Sequence, residues 1–185
     1  MIWKKLGLVF RAEGQFGWMN SHAQIPTALP LMDQGILRLY FSSRPKPGLS
    51  LTGMLDVEAN DPTRIVRIYE KPVLELGMPG AFDQHGIMPQ SCVRFEDGRI
   101  GLYYLGWSRQ VDIPYSNWTG LALSEDNGLT FRKAHAGPVL DRTSDEIYSA
   151  TGLFVVRNGD VFRGWYAMGL GWRTIENRLE ERYLI

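Results

Sequence analysis

Apolar and polar positions along the chain fall into pairs of short β-type runs, each pair joined by a tight turn. The clearest pair covers residues 87–95 and 99–105, with Glu96-Asp97-Gly98 between the two runs. Asp-Gly between two β-rich runs is a strong hairpin signal, because glycine adopts positive φ at no steric cost. The sequence therefore predicts a β-hairpin over residues 87–105.

This hairpin pattern occurs three times at a regular spacing. In each copy, 14 positions separate the first marker residue from the aromatic residue of the second strand: Pro26 to Tyr40, Pro89 to Tyr103 and Thr151 to Trp165. The copies begin 63 and 62 residues apart, with turns at Asp33-Gln34-Gly35, Asp97-Gly98 and Asn158-Gly159. A long repeat made only of short strands and turns is typical of propeller blades. The sequence predicts an all-β fold, a β-propeller of four-stranded antiparallel blades.

The repeats divide the single predicted domain into blades. We assign residues 20–75 to a first blade, 83–140 to a second and 145–185 to a partial third. Third and fourth strands are predicted at 51–57 and 65–69, and a further third strand at 118–123. Residues 174–181 are polar and favour a helix, and 182–185 would begin another strand.

Residues 1–10 are predicted to contain a strand, at 5–10, that closes a ring with a last blade. The prediction rests on Val9-Phe10, which is similar to Val73-Leu74 and Val139-Leu140. Each of those pairs comes shortly before a new repeat, and we interpret both as the outermost strand of the preceding blade.

Charge and composition exclude several classes of function. The 20 Lys and Arg residues balance 20 Asp and Glu residues, and a chain without excess positive charge is a poor candidate for nucleic-acid binding. No apolar run is long enough for a membrane span or a secretory signal, so we expect a cytoplasmic protein with no membrane partner. The lone Cys92 permits no disulfide within the chain and is expected to be a small core residue.

Residues 124–131, SEDNGLTF, resemble the Asp box that occurs on hairpins of sialidases and other propellers. Short Ser and Asp side chains would hydrogen-bond to backbone groups of the turn, and Gly128 would supply a positive φ. This motif indicates fold, and we assign it no catalytic role.

Further motifs carry a resemblance that spans nearly the whole chain. They are Ser21 to Pro26, Phe82-Asp83 with Gly86 and Pro89, Leu102 to Trp107, Ile113-Pro114-Tyr115 and Gly164-Trp165-Tyr166. Together with residues 124–131 they resemble five-bladed propellers of glycoside hydrolase families 43 and 32, the arabinanase and invertase group. The resemblance implies that about two and a half of five blades are present, as in a truncated propeller.

The same resemblance implies acidic residues on the first strands of successive blades. It assigns a catalytic role to Asp83 in the second blade and to Glu146 or Asp145 in the third. In the first blade Asn20 stands where a carboxylate is expected, and an amide can neither accept a proton at neutral pH nor attack as a carboxylate does. The alternative for Asp83 is a loop aspartate that hydrogen-bonds to backbone amides.

A four-stranded antiparallel blade places the start of its first strand and the end of its second strand at the same edge. This edge is expected to collect the substrate-binding candidates, which are His22, His85, Arg44, Trp107, Arg109, Tyr115 and Trp172. Such aromatic residues more often pack within and between blades than form a platform for a sugar. Two histidines without a defined third ligand do not indicate a metal site, so no metal or cofactor is predicted.

Two functions of different classes remain open. One is a glycosidase-like enzyme that acts on an oligosaccharide through Asp83 and an acid of the third blade. The other is a non-catalytic carbohydrate-binding propeller, which Asn20 favours. An inactive fragment is a third possibility. The open blade edges also suggest that the chain associates with itself.

Overall fold

The computed structural model describes residues 5–185, and its regular structure is almost entirely antiparallel β-sheet. The first sheet contains four strands in the order β1-β2-β3-β4, at Ser21–Leu31, Ile36–Arg44, Leu51–Glu58 and Ile65–Ile68. A short 3-10 turn at Met32–Gln34 joins its first two strands.

Two further sheets follow along the chain. The second has the order β5-β6-β7-β8, with strands at Gly86–Arg94, Ile100–Ser108, Ser116–Ser124 and Arg132–Lys133. The third has the order β11-β10-β9, with strands at Ala150–Asn158, Val161–Ile175 and Arg178–Leu184 for β9, β10 and β11. The prediction of an all-β fold of antiparallel blades is confirmed. No α-helix occurs in residues 5–185, and hence none there that could cross a membrane.

The three predicted hairpins join the first two strands of the three sheets. Their turn glycines, Gly35, Gly98 and Gly159, all have positive φ, at 69°, 84° and 62°. In the first two turns the glycine amide donates a hydrogen bond to the carbonyl three residues earlier. Positive φ at a non-strained glycine is what a tight hairpin turn requires.

The prediction of a helix-favouring segment at 174–181 is wrong. These residues end β10, form a turn and begin β11, which pairs with β10 from Ile175↔Arg178 onward. Glu176 and Asn177 both have positive φ, 46° and 61°, and two such residues in succession form the primed turn that fits the twist of a two-residue hairpin. The backbone pairing of the hairpin therefore overrides the helix preference of its polar residues.

The predicted outermost strands also need correction. Val73-Leu74 and Val139-Leu140 lie outside the named strands, and β4 and β8 are the outer strands. The amides of Val73 and Val139 each donate a 2.8 Å hydrogen bond to a threonine carbonyl in the third strand of their own sheet. The two valines thus have equivalent places beside the third strand, after the outer strand has ended.

Residues 5–10 form no strand in this structure, whereas residues 1–4 lie outside the described part of the chain. Val9 and Phe10 instead pack on a cluster formed by one side of the first sheet, and the Phe10 ring lies 5.1 Å from the ring of Phe41. A ring-closing role for this segment stays a prediction.

The main core lies between the first and second sheets. It combines Leu29, Tyr40 and Met54 of the first sheet with Ile87 and Tyr104 of the second, among others. Two hydrogen bonds also join this part of the first blade to the second sheet: the Ser50 carbonyl accepts from the Ile87 amide at 3.0 Å, and the Thr52 hydroxyl donates to the Ile87 carbonyl at 2.9 Å. Apolar burial and these bonds fix the first two blades relative to each other.

Candidate functional site

A cavity of about 400 Å³ lies between the first and second sheets, at the edge where β2 and β6 end. Its wall includes Arg44, Trp107, Arg109, Tyr115 and Asn117. The first four are predicted substrate-binding residues, so the structure brings most of that predicted set together. They converge because Arg44 and Trp107 end the second strands of two consecutive blades.

Trp107 is positioned by Gly86, the first residue of β5, and by His85, which precedes that strand. A Cβ on Gly86 would lie 1.7 Å from Trp107 Nε1, so only glycine at this position leaves room for the indole. The His85 ring stacks on the indole at 5.9 Å with an interplanar angle of 27°. His85 therefore contacts Trp107 but is not one of the residues that line the cavity.

Arg109 spans the cavity from the second blade to the loop that follows β2. Its Nη2 donates a 3.3 Å hydrogen bond to the carbonyl of Pro47 and lies next to Gly48. A Cβ on Gly48 would lie 1.2 Å from Nη2, and Gly48 has a φ of +77°. The Arg109 amide donates to His85 Nδ1 at 3.3 Å. Two glycines and one histidine thus position Trp107 and Arg109.

The first blade contributes Arg44 but no carboxylate. Asn20 donates its side-chain amide to the carbonyls of Gly17 and Pro45, and its backbone amide donates to the Arg44 carbonyl at 3.3 Å. Asn20 therefore fixes the loop after β2. The Arg44 Nε atom is buried and has no hydrogen-bond partner among the described residues.

The third blade reaches the cavity through aromatic and amide contacts. The Trp172 ring packs edge-on against Tyr115 at 5.1 Å, and the Asn117 side chain donates a 3.2 Å hydrogen bond to the Tyr183 hydroxyl. Tyr183 in turn donates to Glu181 at 2.6 Å. Burial and this bond to Glu181 raise the pKa of Tyr183 well above its usual value, so the hydroxyl stays protonated. Trp172 and Tyr183 stiffen the Tyr115–Asn117 side of the cavity.

Asp83 does not form the cavity wall. Its side chain is 2% exposed, and its Oδ2 accepts from Lys133 Nζ at 2.6 Å and from the Tyr104 hydroxyl at 3.0 Å. A Cβ on Gly77 would lie 2.1 Å from Asp83 Oδ1, so the other oxygen is covered as well. A ligand cannot touch this carboxylate without rearrangement, and the predicted catalytic contact does not fit its placement.

The remaining candidates are dispersed. Glu146 accepts a 2.7 Å hydrogen bond from the Tyr166 hydroxyl and lines a separate depression with Trp165 on the third blade. Asp145 is exposed in the turn before β9, where its amide donates to the Thr143 hydroxyl. His22 is exposed on an irregular part of β1, with φ of 64° and Nδ1 2.8 Å from Ser21 Oγ. None of these three residues lies in the cavity wall.

Comparison with known proteins begins with sequence. No protein-family model matches the chain. It is 36% identical over 173 residues to two uncharacterised Mycobacterium tuberculosis proteins, Rv1502 of strain H37Rv and MT1551 of strain CDC 1551. The match covers 93% of this chain and 56% of each relative, so the chain spans about half the length of the curated relatives it matches.

Solved structures match over most of the chain. A structure of BT0996, described as an RGII complex, gives a TM-score of 0.70 at 15% identity, over 98% of this chain and 57% of that protein. Zg3597, a family 117 glycoside hydrolase of Zobellia galactanivorans, gives 0.60 at 16% identity, over 97% and 51%. A thermostable family-43 glycoside hydrolase gives 0.57 at 14% identity, over 85% and 57%. The chain has the fold of a glycosidase-like β-propeller.

In this glycosidase-like propeller, sequence reasoning missed Asn117, Tyr183 and Glu181. Glu181 accepts from both Ser149 and Tyr183, each at 2.6 Å. Glu181 was missed because the polar residues around it favour a helix, so no strand was predicted there. The alternation of Leu179, Glu181 and Tyr183 was the available signal, since every second residue of a strand lies on one face. Residues 5–185 contain no group of three His, Cys, Asp or Glu residues that could hold a metal ion.

Proposed function

We propose that this chain is part of a glycosidase-like propeller that binds an oligosaccharide in the cavity between its first two blades. The observation that carries the proposal is the cavity wall itself, which combines Trp107 and Tyr115 with the donors of Arg44, Arg109 and Asn117. Aromatic rings offer an apolar face to a sugar ring, and the polar groups beside them can hydrogen-bond to hydroxyls. A volume of about 400 Å³ falls within the usual range of small-molecule sites.

Two properties of the cavity favour binding of a small ligand over simple packing between blades. Trp107 is accommodated by Gly86, where a side chain would meet the indole, and Arg109 lies next to Gly48, whose φ of +77° favours glycine. Residues of both blades and of the loops after β2 and β6 converge on one space. The structural neighbours support the ligand class, because two of those reported above are glycoside hydrolases by description.

Hydrolysis is the second candidate function. It needs two carboxyl groups about 5–10 Å apart on either side of the bond that is cleaved. Asp83 is paired with Lys133, Glu146 lies in a separate depression, and Asn20 stands where the resemblance to glycoside hydrolases implies a carboxylate. We therefore favour binding over catalysis for these residues, and an activity of a longer propeller would require carboxylates from elsewhere.

The binding proposal is tested by calorimetric titration of the chain with a panel of oligosaccharides. Trp107→Ala should weaken binding of the best ligand about tenfold or more, which corresponds to roughly 1.4 kcal/mol or more. The matched control is Trp165→Ala, which removes an exposed tryptophan beside Glu146 and should change affinity less than twofold. Strong binding that is lost only in Trp165→Ala would place the site on the third blade and overturn the proposal.

The catalytic alternative is tested with aryl-glycoside and oligosaccharide substrates. We expect no turnover above that of a Glu146→Gln Asp83→Asn double variant, because those two carboxylates are engaged elsewhere. Turnover that Glu146→Gln abolishes at unchanged melting temperature would show that hydrolysis is the function of this chain. Melting curves of each variant accompany the assay, so that loss of folding is not mistaken for loss of catalysis.

A further inference from the structure

The charges on the cavity wall are all of one sign. Arg44 and Arg109 are the charged residues that line the cavity, and no Asp or Glu lines it. Neither arginine forms an ion pair within the described residues, although seven other basic side chains do. Two unpaired guanidinium groups at one cavity raise the local concentration of anions.

One hydrogen-bond donor of Arg44 has no acceptor. Its Nε atom is buried and has no partner among residues 5–185. A buried donor without an acceptor is costly, and such atoms in folded proteins usually have a partner. The planar guanidinium presents its donors as a fork that matches the two oxygens of a carboxylate or of a sulfate group. Because the Nε atom is covered in this structure, an oxyanion in the cavity would supply the acceptor that Arg44 lacks only after a small movement of the Arg44 side chain.

Arg109 is held in place while most of its donors remain free. One Nη2 hydrogen bond goes to the Pro47 carbonyl, and Gly48 lies next to the same Nη2 atom. Asp112 is in the same loop but forms no ion pair with Arg109. The side chain is thus oriented by a neutral carbonyl, and its positive charge is not compensated.

Glu181 is linked to the cavity wall through hydrogen bonds, but it does not neutralise the charges of Arg44 and Arg109. Glu181 lies behind Tyr183 and accepts one bond at each carboxylate oxygen, from Ser149 and from Tyr183. Tyr183 separates it from Asn117 at the cavity wall. A carboxylate with both oxygens engaged in this way does not pair with Arg44 or Arg109.

We propose that the ligand of this cavity is an acidic saccharide, whose carboxylate or sulfate group is bound by Arg44 and Arg109. The inference rests on the proposed function, since it names the chemical class of sugar that the same site would take. Neutral parts of the saccharide would lie against Trp107 and Tyr115, and the anionic group would lie at the two arginines. Binding should therefore discriminate by charge as well as by shape.

The test compares matched ligands by calorimetry. The probes are galacturonate, glucuronate and mannuronate oligosaccharides, their methyl esters, and a sulfated galactan oligosaccharide. We expect at least tenfold tighter binding of one acidic probe than of its neutral counterpart. Arg44→Gln should weaken that binding tenfold or more, and Arg109→Gln should weaken it severalfold. Arg163→Gln, which removes an exposed arginine outside the cavity, should change affinity less than twofold.

The possible outcomes distinguish the inference about charge from the binding function on which it rests. Uronate binding with no sulfate binding, or the reverse, identifies which oxyanion the arginines take and supports the inference. Equal binding of an acid and its methyl ester, lost in Trp107→Ala, overturns the charge inference and leaves the binding function standing. Absence of binding to every probe overturns both. If Arg44→Gln does not fold, the exposed Arg109 carries the test.

Discussion

At the scale of single residues, Asp83 shows most clearly what the sequence could not reveal. Its position at the start of the second blade suggested chemistry, but its partner Lys133 lies 50 positions later, on β8. Only the folded sheet brings β8 beside the segment before β5. By contrast, the sequence could predict that Arg44 and Trp107 lie close together, because the repeat places the ends of the second strands of consecutive blades at the same edge of the sheets.

The Asp83–Lys133 pair leads to a prediction about stability. Breaking a buried ion pair leaves an uncompensated charge and typically costs about 3–5 kcal/mol. Lys133→Met should destabilise by about 3 kcal/mol, because it leaves the Asp83 carboxyl, whose side chain is 2% exposed, without its ionic partner. Asp83→Asn should cost less, about 1–2 kcal/mol, because the Lys133 side chain is 25% exposed and can turn toward water.

Urea unfolding of the two variants and the double variant checks this asymmetry. The double variant Asp83→Asn Lys133→Met should lose less than the sum of the single losses, as expected for residues in direct contact. A Lys133→Met variant as stable as the wild type would contradict the assignment of a structural ion pair. Asp83 would then again be a candidate for ligand contact.

At the scale of elements, the turn at residues 124–130 joins the second blade to the first. Ser124 Oγ accepts from the Gly128 amide at 2.8 Å, and Asp126 accepts from the amides of Leu129 and Thr130 at 3.0 and 2.9 Å. The folded turn presents the Asn127 and Gly128 carbonyls to the first blade, where Arg38 and Tyr40 donate to them at 2.8 and 2.6 Å. The turn thus contributes to packing between the blades that form the cavity.

This turn makes stability depend on pH. Burial tends to raise the pKa of Asp126, but hydrogen bonds from Thr130, Ser124 and Leu129 outweigh it and hold the pKa below its usual value of 3.8. A carboxylate with a lowered folded pKa stabilises the fold above its unfolded pKa, and this contribution is lost as pH falls through the folded value. Asp126→Asn should therefore lower the melting temperature at pH 6, and the difference from wild type should shrink below about pH 4.

Thermal melting of both proteins between pH 6 and pH 2.5 measures the effect. The exposed Asp33→Asn variant is a control, since Asp33 lies in a hairpin turn and its carboxylate forms no ion pair in the described structure. A gap between Asp126→Asn and wild type that is constant over this range would contradict the role of the ionised carboxylate.

The hairpins with Asp-Gly or Asn-Gly turns were predictable from the sequence, whereas the β10–β11 hairpin was missed. The Asp97-Gly98 and Asn158-Gly159 hairpins follow from local turn chemistry. The β10–β11 hairpin turns instead at Glu176-Asn177. The polar residues around this turn favour a helix, so the sequence alone does not predict the turn. Its formation depends on backbone pairing along the 15-residue β10, which is a tertiary property.

At the scale of the whole molecule, the third sheet presents an apolar side to solvent. Phe154 and Trp165, which are opposite each other on β9 and β10, are both 52% exposed, and Val156 and Leu184 are exposed as well. Clustered exposed apolar side chains of this kind mark interaction surfaces or aggregation sites. We therefore expect the chain alone to associate with itself.

Replacing the central pair tests that expectation. A Phe154→Ser Trp165→Gln variant should lower the mass measured by light scattering and reduce binding of the dye ANS, with little change in melting temperature. Val111→Ser is the control, because Val111 is 98% exposed on a loop and lies outside the third sheet. A wild-type chain that is monomeric and binds no dye would contradict this role of the third sheet.

The cavity between the first two blades is tested most directly by the six tryptophan indoles of the chain. Indole signals of ¹⁵N-labelled protein, assigned with Trp→Phe variants, can be followed during titration with the tightest-binding acidic oligosaccharide. The account predicts that Trp107 shifts most, that Trp172 follows through its contact with Tyr115, and that Trp165 stays unchanged. A shift confined to Trp165, or six signals that do not move, would contradict it.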